Sequence, residues 1–387
     1  MTILNAREHE AQHLLQVYEQ LPLEPESAQG VYLHCGGRRI LDLYGGHAVA
    51  SLGYGHPSML EALNKQAREI LFQSNAVAVK IRAQAAETLT DFAPGDLNHV
   101  FFTNSGAESN ENALRIAVRL TGRSRVVAIE HGFHGRTAAA GAVTWGAKDS
   151  WYGFPETPFS VDFLGRNSIS AIDDMVTEKT AAVILELVQG VAGAFDLDPG
   201  FVQAIAQTCA DRGALLIIDE VQSGIGRCGQ PFATNLYNIQ PDILTTAKSM
   251  AGGFPCGALI VTSDLAGSVG SGDLGSTFGG GPMACALTKT VIEVIKKEQL
   301  IENVRTLSEL IIKALPLGPI MSAQGKGFLM GLRCARNARK VRDELLARDI
   351  LVGTSADPMV LRLLPPLILE QQHVQKFLDI LAELPEG

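Results

Sequence analysis

Charge is scarce in this sequence. Only 19% of its 387 residues are Asp, Glu, Lys or Arg. Basic residues are the scarcer sign, 32 against 41 acidic ones, for a formal net charge of −9. A chain that neutralises nucleic-acid phosphates or an anionic membrane surface shows a basic surplus, so neither partner is expected. Disorder is not expected either, because 46% of the residues are hydrophobic and disorder needs low hydrophobicity with high net charge. Long apolar runs are also absent. No stretch of 18 residues is continuously apolar, which argues against a transmembrane helix. Met1 to Gln20 has no apolar core of the signal-peptide kind, so a cytoplasmic protein is expected. The six cysteines are scattered and form no CxxC pair, which sets aside zinc ribbons and disulfide frameworks. Cys209 and Cys285 sit in apolar helix-like runs and read as core thiols.

Glycine, by contrast, is plentiful, at 39 residues, about 10% where roughly 7% is usual. It has no repeating period, so it is not collagen-like. Seven glycines lie between Gly267 and Gly281, and others cluster near Gly132, Gly224 and Gly252. They follow or adjoin short apolar runs. Those runs are His99–Thr103, Arg125–Ile129, Ala181–Leu185, Ala214–Ile218, Asp242–Thr246 and Gly257–Thr262. Near-continuous apolar strands are buried on both faces, which predicts an α/β fold with a mainly parallel sheet. Ligands of such sheets bind beyond the carboxyl ends of the strands. Polar residues fall at those ends one strand after another, among them Asn104-Ser105-Gly106, Glu130-His131, Glu186, Asp219 and Lys248. Helices are predicted from Pro57, over Glu108–Leu120 and over Pro282–Lys297. The character changes near residue 282. The expected organisation is 1–55 joining a small domain, 56–281 as the large domain, and 282–387 as the C-terminal small domain.

One motif is set aside. His9-Glu10-Ala11-Gln12-His13 matches the HExxH pattern of zinc peptidases. It starts too near the N-terminus for a sheet to precede it and wall a site. Both histidines are read as solvated, on an ordinary amphipathic helix.

Lys248 is the more informative residue. It follows an apolar strand and precedes Ser249-Met250-Ala251-Gly252-Gly253. A desolvated lysine loses its proton readily and can form a Schiff base with a carbonyl or with pyridoxal phosphate (PLP). Asp219 ends the most hydrophobic strand, where an acid needs a cationic partner such as a protonated pyridine nitrogen. Ser105, Gly106 and Ala107 open a helix whose N–H groups can cradle a phosphate, although Ser105 also suits a plain N-cap. Phe133 lies in a glycine-rich loop, placed to stack on a planar ring. Arg136 nearby can grip a carboxylate with two hydrogen bonds.

Five motifs carry a resemblance. They are Asn104–Glu111 (NSGAESNE), Phe133–Thr137 (FHGRT), Asp219–Gly224 (DEVQSG), Ala247-Lys248 and Ser276–Gly280 (STFGG). In this order the chain resembles the class III PLP-dependent aminotransferases over essentially its whole length. Its motifs are most similar to the acetylornithine branch of that family. The resemblance implies the fold-type I architecture, a seven-stranded mainly parallel sheet in a large domain with a smaller α+β domain. It also implies an obligate homodimer. Lys248 would be the Schiff-base lysine and proton shuttle, Asp219 the partner of the pyridine nitrogen, and Phe133 the stacking ring. Val221 and Gln222 would lie beside the cofactor. Ser105, Gly106 and Ala107 would hold its phosphate, with Thr277 reaching over from the other subunit. Arg136 and Ser276 would meet the acylated ornithine, and Arg362 the carboxylate of glutamate or 2-oxoglutarate. The reaction implied moves the terminal amino group of N-acetylornithine to 2-oxoglutarate. Close variants of it use succinylornithine or a carrier-linked lysine precursor, and a mutase shares the same fold.

The chain departs from the family at Gln189-Gly190-Val191, where many relatives read QGE. In ornithine-type members that Glu pairs with the arginine matching Arg362. Val191 cannot, so Arg362 is expected to be held in another way here.

Overall fold

The computed structural model describes residues 6–386. Seven strands form the central sheet: β1 (Leu97–Thr103), β2 (Arg125–Ile129), β3 (Ser160–Leu164), β4 (Thr180–Leu185), β5 (Leu215–Asp219), β6 (Ile243–Thr246) and β7 (Gly257–Thr262). Their order across the sheet is β1-β7-β6-β5-β4-β2-β3. β7 runs antiparallel to both of its neighbours, and the pairs β6–β5, β5–β4, β4–β2 and β2–β3 are parallel. Every residue of β4 and β6 is buried, as strands covered on both faces require. One core lies against helix Gly106–Thr121 and contains Ala113, Ala117, Val126, Ile184 and Ile217. The core on the other side contains Val183, Ile218, Phe201 and Ile205. Cys209 and Cys285 are indeed buried thiols, and all six cysteines are free.

Residues Ser27–Gln29, Tyr32–Cys35 and Arg38–Asp42 build a meander that pairs in parallel with Ile350–Leu351. The N-terminal segment therefore shares a sheet with the end of the chain. A further four-stranded sheet joins Ile320–Lys326, Leu329–Cys334, Val360–Leu363 and Gly353–Thr354. Helix Pro282–Lys297 starts on its proline, as the sequence predicts, and packs on helices Pro57–Glu69 and Lys80–Thr90. The apolar stripe of Pro57–Glu69 and its following turn is uncovered. Leu60, Leu63, Ile70 and Leu71 are all exposed. Helix Ala6–His13, carrying the HExxH residues, buries nothing, and the two imidazoles are ring neighbours at 5.2 Å. Among the described residues no group of three His, Cys, Asp or Glu could hold a metal ion. No helix among them is long and apolar enough to cross a membrane.

Candidate active site

The carboxyl ends of β5 and β6 meet the N-terminus of helix Gly106–Thr121 around a cavity of about 420 Å³. Lys248, Asp219, Ser105, Gly106, Ala107, Phe133, Val221, Gln222 and Arg136 all line it. Residues from four separate stretches of sequence thus converge on one space.

Asp219 is 3% exposed at the last position of β5. Its Oδ2 accepts hydrogen bonds from Asn110 Nδ2 and His134 Nδ1, both at 2.7 Å. Its Oδ1 accepts from the Val221 N–H at 3.0 Å. Asn110 is locked in turn, because its Oδ1 accepts from the Thr245 hydroxyl at 2.6 Å. Such a carboxylate has no freedom to rotate.

Lys248 follows β6 after one residue, Ala247. Its φ of +45° is left-handed, a conformation costing a non-glycine residue about 1–3 kcal/mol. The next residue anchors it, since Ser249 Oγ donates to the Ala48 carbonyl at 2.6 Å and Ser51 Oγ donates to the Ser249 carbonyl at 3.0 Å. Burial pushes the Lys248 ammonium below the ordinary lysine range, against the opposing pull of Glu186 and Asp219. The amine is thereby closer to its neutral, nucleophilic form.

The helix N-terminus is pre-formed. Ser105 caps it by accepting from the Glu108 N–H at 3.2 Å, and Glu108 Oε2 accepts from the Asn104 N–H at 2.9 Å. Both the cap and the open N–H groups coexist, and an anion is favoured there. Gly106 is required by contact, because a Cβ on it would stand 2.6 Å from Val221 Cγ1.

Phe133 is fixed through its backbone, whose N–H donates to Glu186 Oε1 at 2.9 Å. Glu186 Oε2 accepts from the Gly190 N–H at 3.1 Å. Burial first, then the nearby Asp219, raises the Glu186 carboxyl above the usual carboxylate range. Gln222 Oε1 is buried with no partner. Arg136 is exposed at the rim, its guanidinium carbon 4.3 Å from the Trp151 ring centroid.

Three expected residues do not line this cavity. Arg362 is buried and donates to the Tyr44 hydroxyl and to the carbonyls of Thr354 and Gly190. Ser276 accepts from Asn104 Nδ2 at 3.3 Å, and Thr277 is exposed on the loop outside. Sequence reasoning missed roles for Asn110 and His134, which hold Asp219, and for Glu186. Each stood inside a quoted motif or at a strand end, and the strand-end position was the available signal.

The family model of the class-III aminotransferases matches residues 15–384, and the chain belongs to that family. Curated relatives include acetylornithine aminotransferase from Methanosarcina acetivorans, 35% identical over 97% of this chain and 95% of that protein. Another is acetylornithine aminotransferase from Archaeoglobus fulgidus, 37% identical over 97% of this chain and 98% of that protein. Among solved structures, acetylornithine aminotransferase from Elizabethkingia anophelis superposes with a TM-score of 0.86 at 26% identity, covering 97% of both chains. Ornithine aminotransferase from Toxoplasma gondii gives a TM-score of 0.91 at 24% identity, covering 97% of this chain and 92% of that one, and shows the shared fold.

Pyridoxal 5′-phosphate is the cofactor of this family and of this enzyme. The residues present fit it. The cavity joins a buried acid that could face the ring nitrogen, a helix N-terminus that could take the phosphate, and an orphaned buried amide oxygen on Gln222. A lysine with a lowered ammonium pKa stands in the same space.

Proposed function

We propose that this enzyme transfers the terminal amino group of N-acetylornithine to 2-oxoglutarate, giving N-acetylglutamate semialdehyde and glutamate. The carrying observation is that Lys248 and Asp219 share one cavity in a chain 35–37% identical to acetylornithine aminotransferases. PLP, when bound, supplies the electron sink that lets a C–H bond beside the amine ionise. Lys248 holds the cofactor and then moves the proton from the donor's δ-carbon. Asp219, fixed by Asn110 and His134, keeps the pyridine nitrogen protonated. Ser105, Gly106 and Ala107 bind the phosphate, and Phe133, Val221 and Gln222 confine the ring. Arg136 binds the donor's α-carboxylate, with Ser276 nearby. Arg362 binds the α-carboxylate of 2-oxoglutarate and glutamate.

The working form in this reading is a homodimer. Its support is the exposed apolar stripe of Leu60, Leu63, Ile70 and Leu71, continued by Phe72 and Phe278. A monomer does not ordinarily leave a contiguous apolar patch of this kind in water. Thr277, outside its own cavity, would then reach the phosphate in the neighbouring subunit.

The test is glutamate formation from N-acetylornithine and 2-oxoglutarate. Lys248→Ala should lower the rate by on the order of 10³-fold, as loss of a general base does, while leaving the far-ultraviolet circular dichroism unchanged. Equal rates in the two proteins would refute the assignment.

A further inference from the structure

Arg362 is 6% exposed and, among the described residues, has no carboxylate hydrogen-bonded to it, although the Glu186 charge acts on it through space. Its Nε donates to the Thr354 carbonyl at 2.7 Å. Nη1 donates to the Gly190 carbonyl at 3.2 Å, and Nη2 to the Tyr44 hydroxyl at 2.7 Å. A guanidinium has five N–H groups, so two remain, one on each terminal nitrogen. Those are the two that a carboxylate takes in a forked contact.

Tyr44 is built into its place. Asp42 accepts from the N–H groups of Tyr44 and Gly45 at 2.8 and 2.9 Å, and from the Tyr54 hydroxyl at 2.6 Å. Residues 45–48 then run left-handed, with φ of +54°, +58°, +64° and +67°. For His47 and Ala48 that handedness is unfavourable, yet it brings His47 Nδ1 to 2.8 Å from the Tyr44 hydroxyl. Gly353 clears the space for the phenol, since a Cβ there would stand 1.9 Å from the Tyr44 ring. Arg362 can only donate, so the Tyr44 oxygen accepts from it. In the His47 tautomer with a bare Nδ1, the phenol passes its own hydrogen to that nitrogen.

We infer that Tyr44, braced by Asp42 and His47, is the positioning residue that fixes Arg362 for the α-carboxylate of the oxo-acid acceptor. The inference rests on the functional reading above and deepens it. A carboxylate at position 191 would compete with substrate for the guanidinium. Val191, which lines the cavity, does not. A phenol orients the guanidinium without competing, because it takes one N–H and leaves the fork open. Tyr44 therefore acts on the acceptor half of the cycle and leaves the donor half to Arg136.

The test is Tyr44→Phe in the holoenzyme, which keeps the ring and removes the hydroxyl. The KM for 2-oxoglutarate should rise about tenfold, the size expected for losing a hydrogen bond to a buried charge. The KM for N-acetylornithine and kcat should change less than about twofold, a split that general loosening of the fold would not give. Binding of glutarate, an unreactive dicarboxylate, followed by calorimetry, should weaken by the same factor. Equal changes for both substrates, or none for 2-oxoglutarate and glutarate, would overturn the inference. If Tyr44→Phe does not fold, His47→Leu removes the acceptor of the phenol hydrogen and should act in the same direction, about threefold; no change there counts against it equally. Should the wild-type protein make no glutamate from N-acetylornithine, the functional reading fails, and glutarate binding still decides the role of Tyr44.

Discussion

At the scale of single residues, the site depends on held charges. Asp219 is gripped by Asn110, His134 and the Val221 N–H, so in the proposed function its carboxylate would meet the cofactor already oriented. Replacing it with Asn keeps the shape and removes the charge. Asp219→Asn should cut kcat by on the order of 10²–10³-fold, the usual loss for one preorganised electrostatic partner, with KM for N-acetylornithine little changed. Steady-state kinetics checks it, and an unchanged kcat would remove Asp219 from the chemistry. Asp219 was legible in the sequence because an acid ending a wholly apolar strand is costly without a partner, and Lys248 because a lysine that follows a strand among small residues can sit desolvated. Asn110 and His134 were not legible in that way. Their neighbours are polar too, and only the folded chain shows which of them turn toward Asp219. Position 191 was legible as a departure, but nothing local announced that Tyr44, over three hundred residues from Arg362 in sequence, would contact it.

At the scale of elements, strands buried on both faces were readable and the others less so. Arg125–Ile129 and Gly257–Thr262 agree end to end with their apolar runs, and the remaining four differ by one or two residues. Ser160–Leu164 is the strand that local pattern did not reveal. It is the sheet's edge, pairs only with β2, and ranges from exposed to buried along its length, so its sequence needs no continuous apolar run. The left-handed turn at 45–48 was also hidden. Gly45 and Gly46 permit it, with the Gly45 N–H held by Asp42, and the turn closes where the Ala48 N–H donates to the Tyr44 carbonyl. The start of helix Gly106–Thr121 offers the sharpest structural test. Gly106→Ala would drive a Cβ to 2.6 Å from Val221 Cγ1, an overpacking worth about 1–3 kcal/mol. Thermal denaturation should show that loss, and Val221→Ala in the same chain should recover most of it. A Gly106→Ala protein as stable as wild type would mean that this contact does not constrain the helix entry.

For the whole molecule, the homodimer proposed above would account for low charge and exposed apolar residues together. A doubly covered sheet needs little polar surface, and a chain that paired with a copy of itself would need less. Placing Asp at both Leu63 and Leu71 would bury two charges in such an interface, at a cost of several kcal/mol per ion. Analytical ultracentrifugation should show the variant shifting from dimer to monomer, and an unshifted dimer would place the interface elsewhere. The central claim concerns what the enzyme consumes. The most direct measurement is kcat/KM for a panel of amino donors with 2-oxoglutarate as acceptor: N-acetylornithine, succinylornithine, ornithine and 4-aminobutyrate. The account predicts that N-acetylornithine leads by about tenfold or more, a difference of one good site contact, with one glutamate formed for each semialdehyde. A higher kcat/KM for any other donor, or semialdehyde without glutamate, would contradict it.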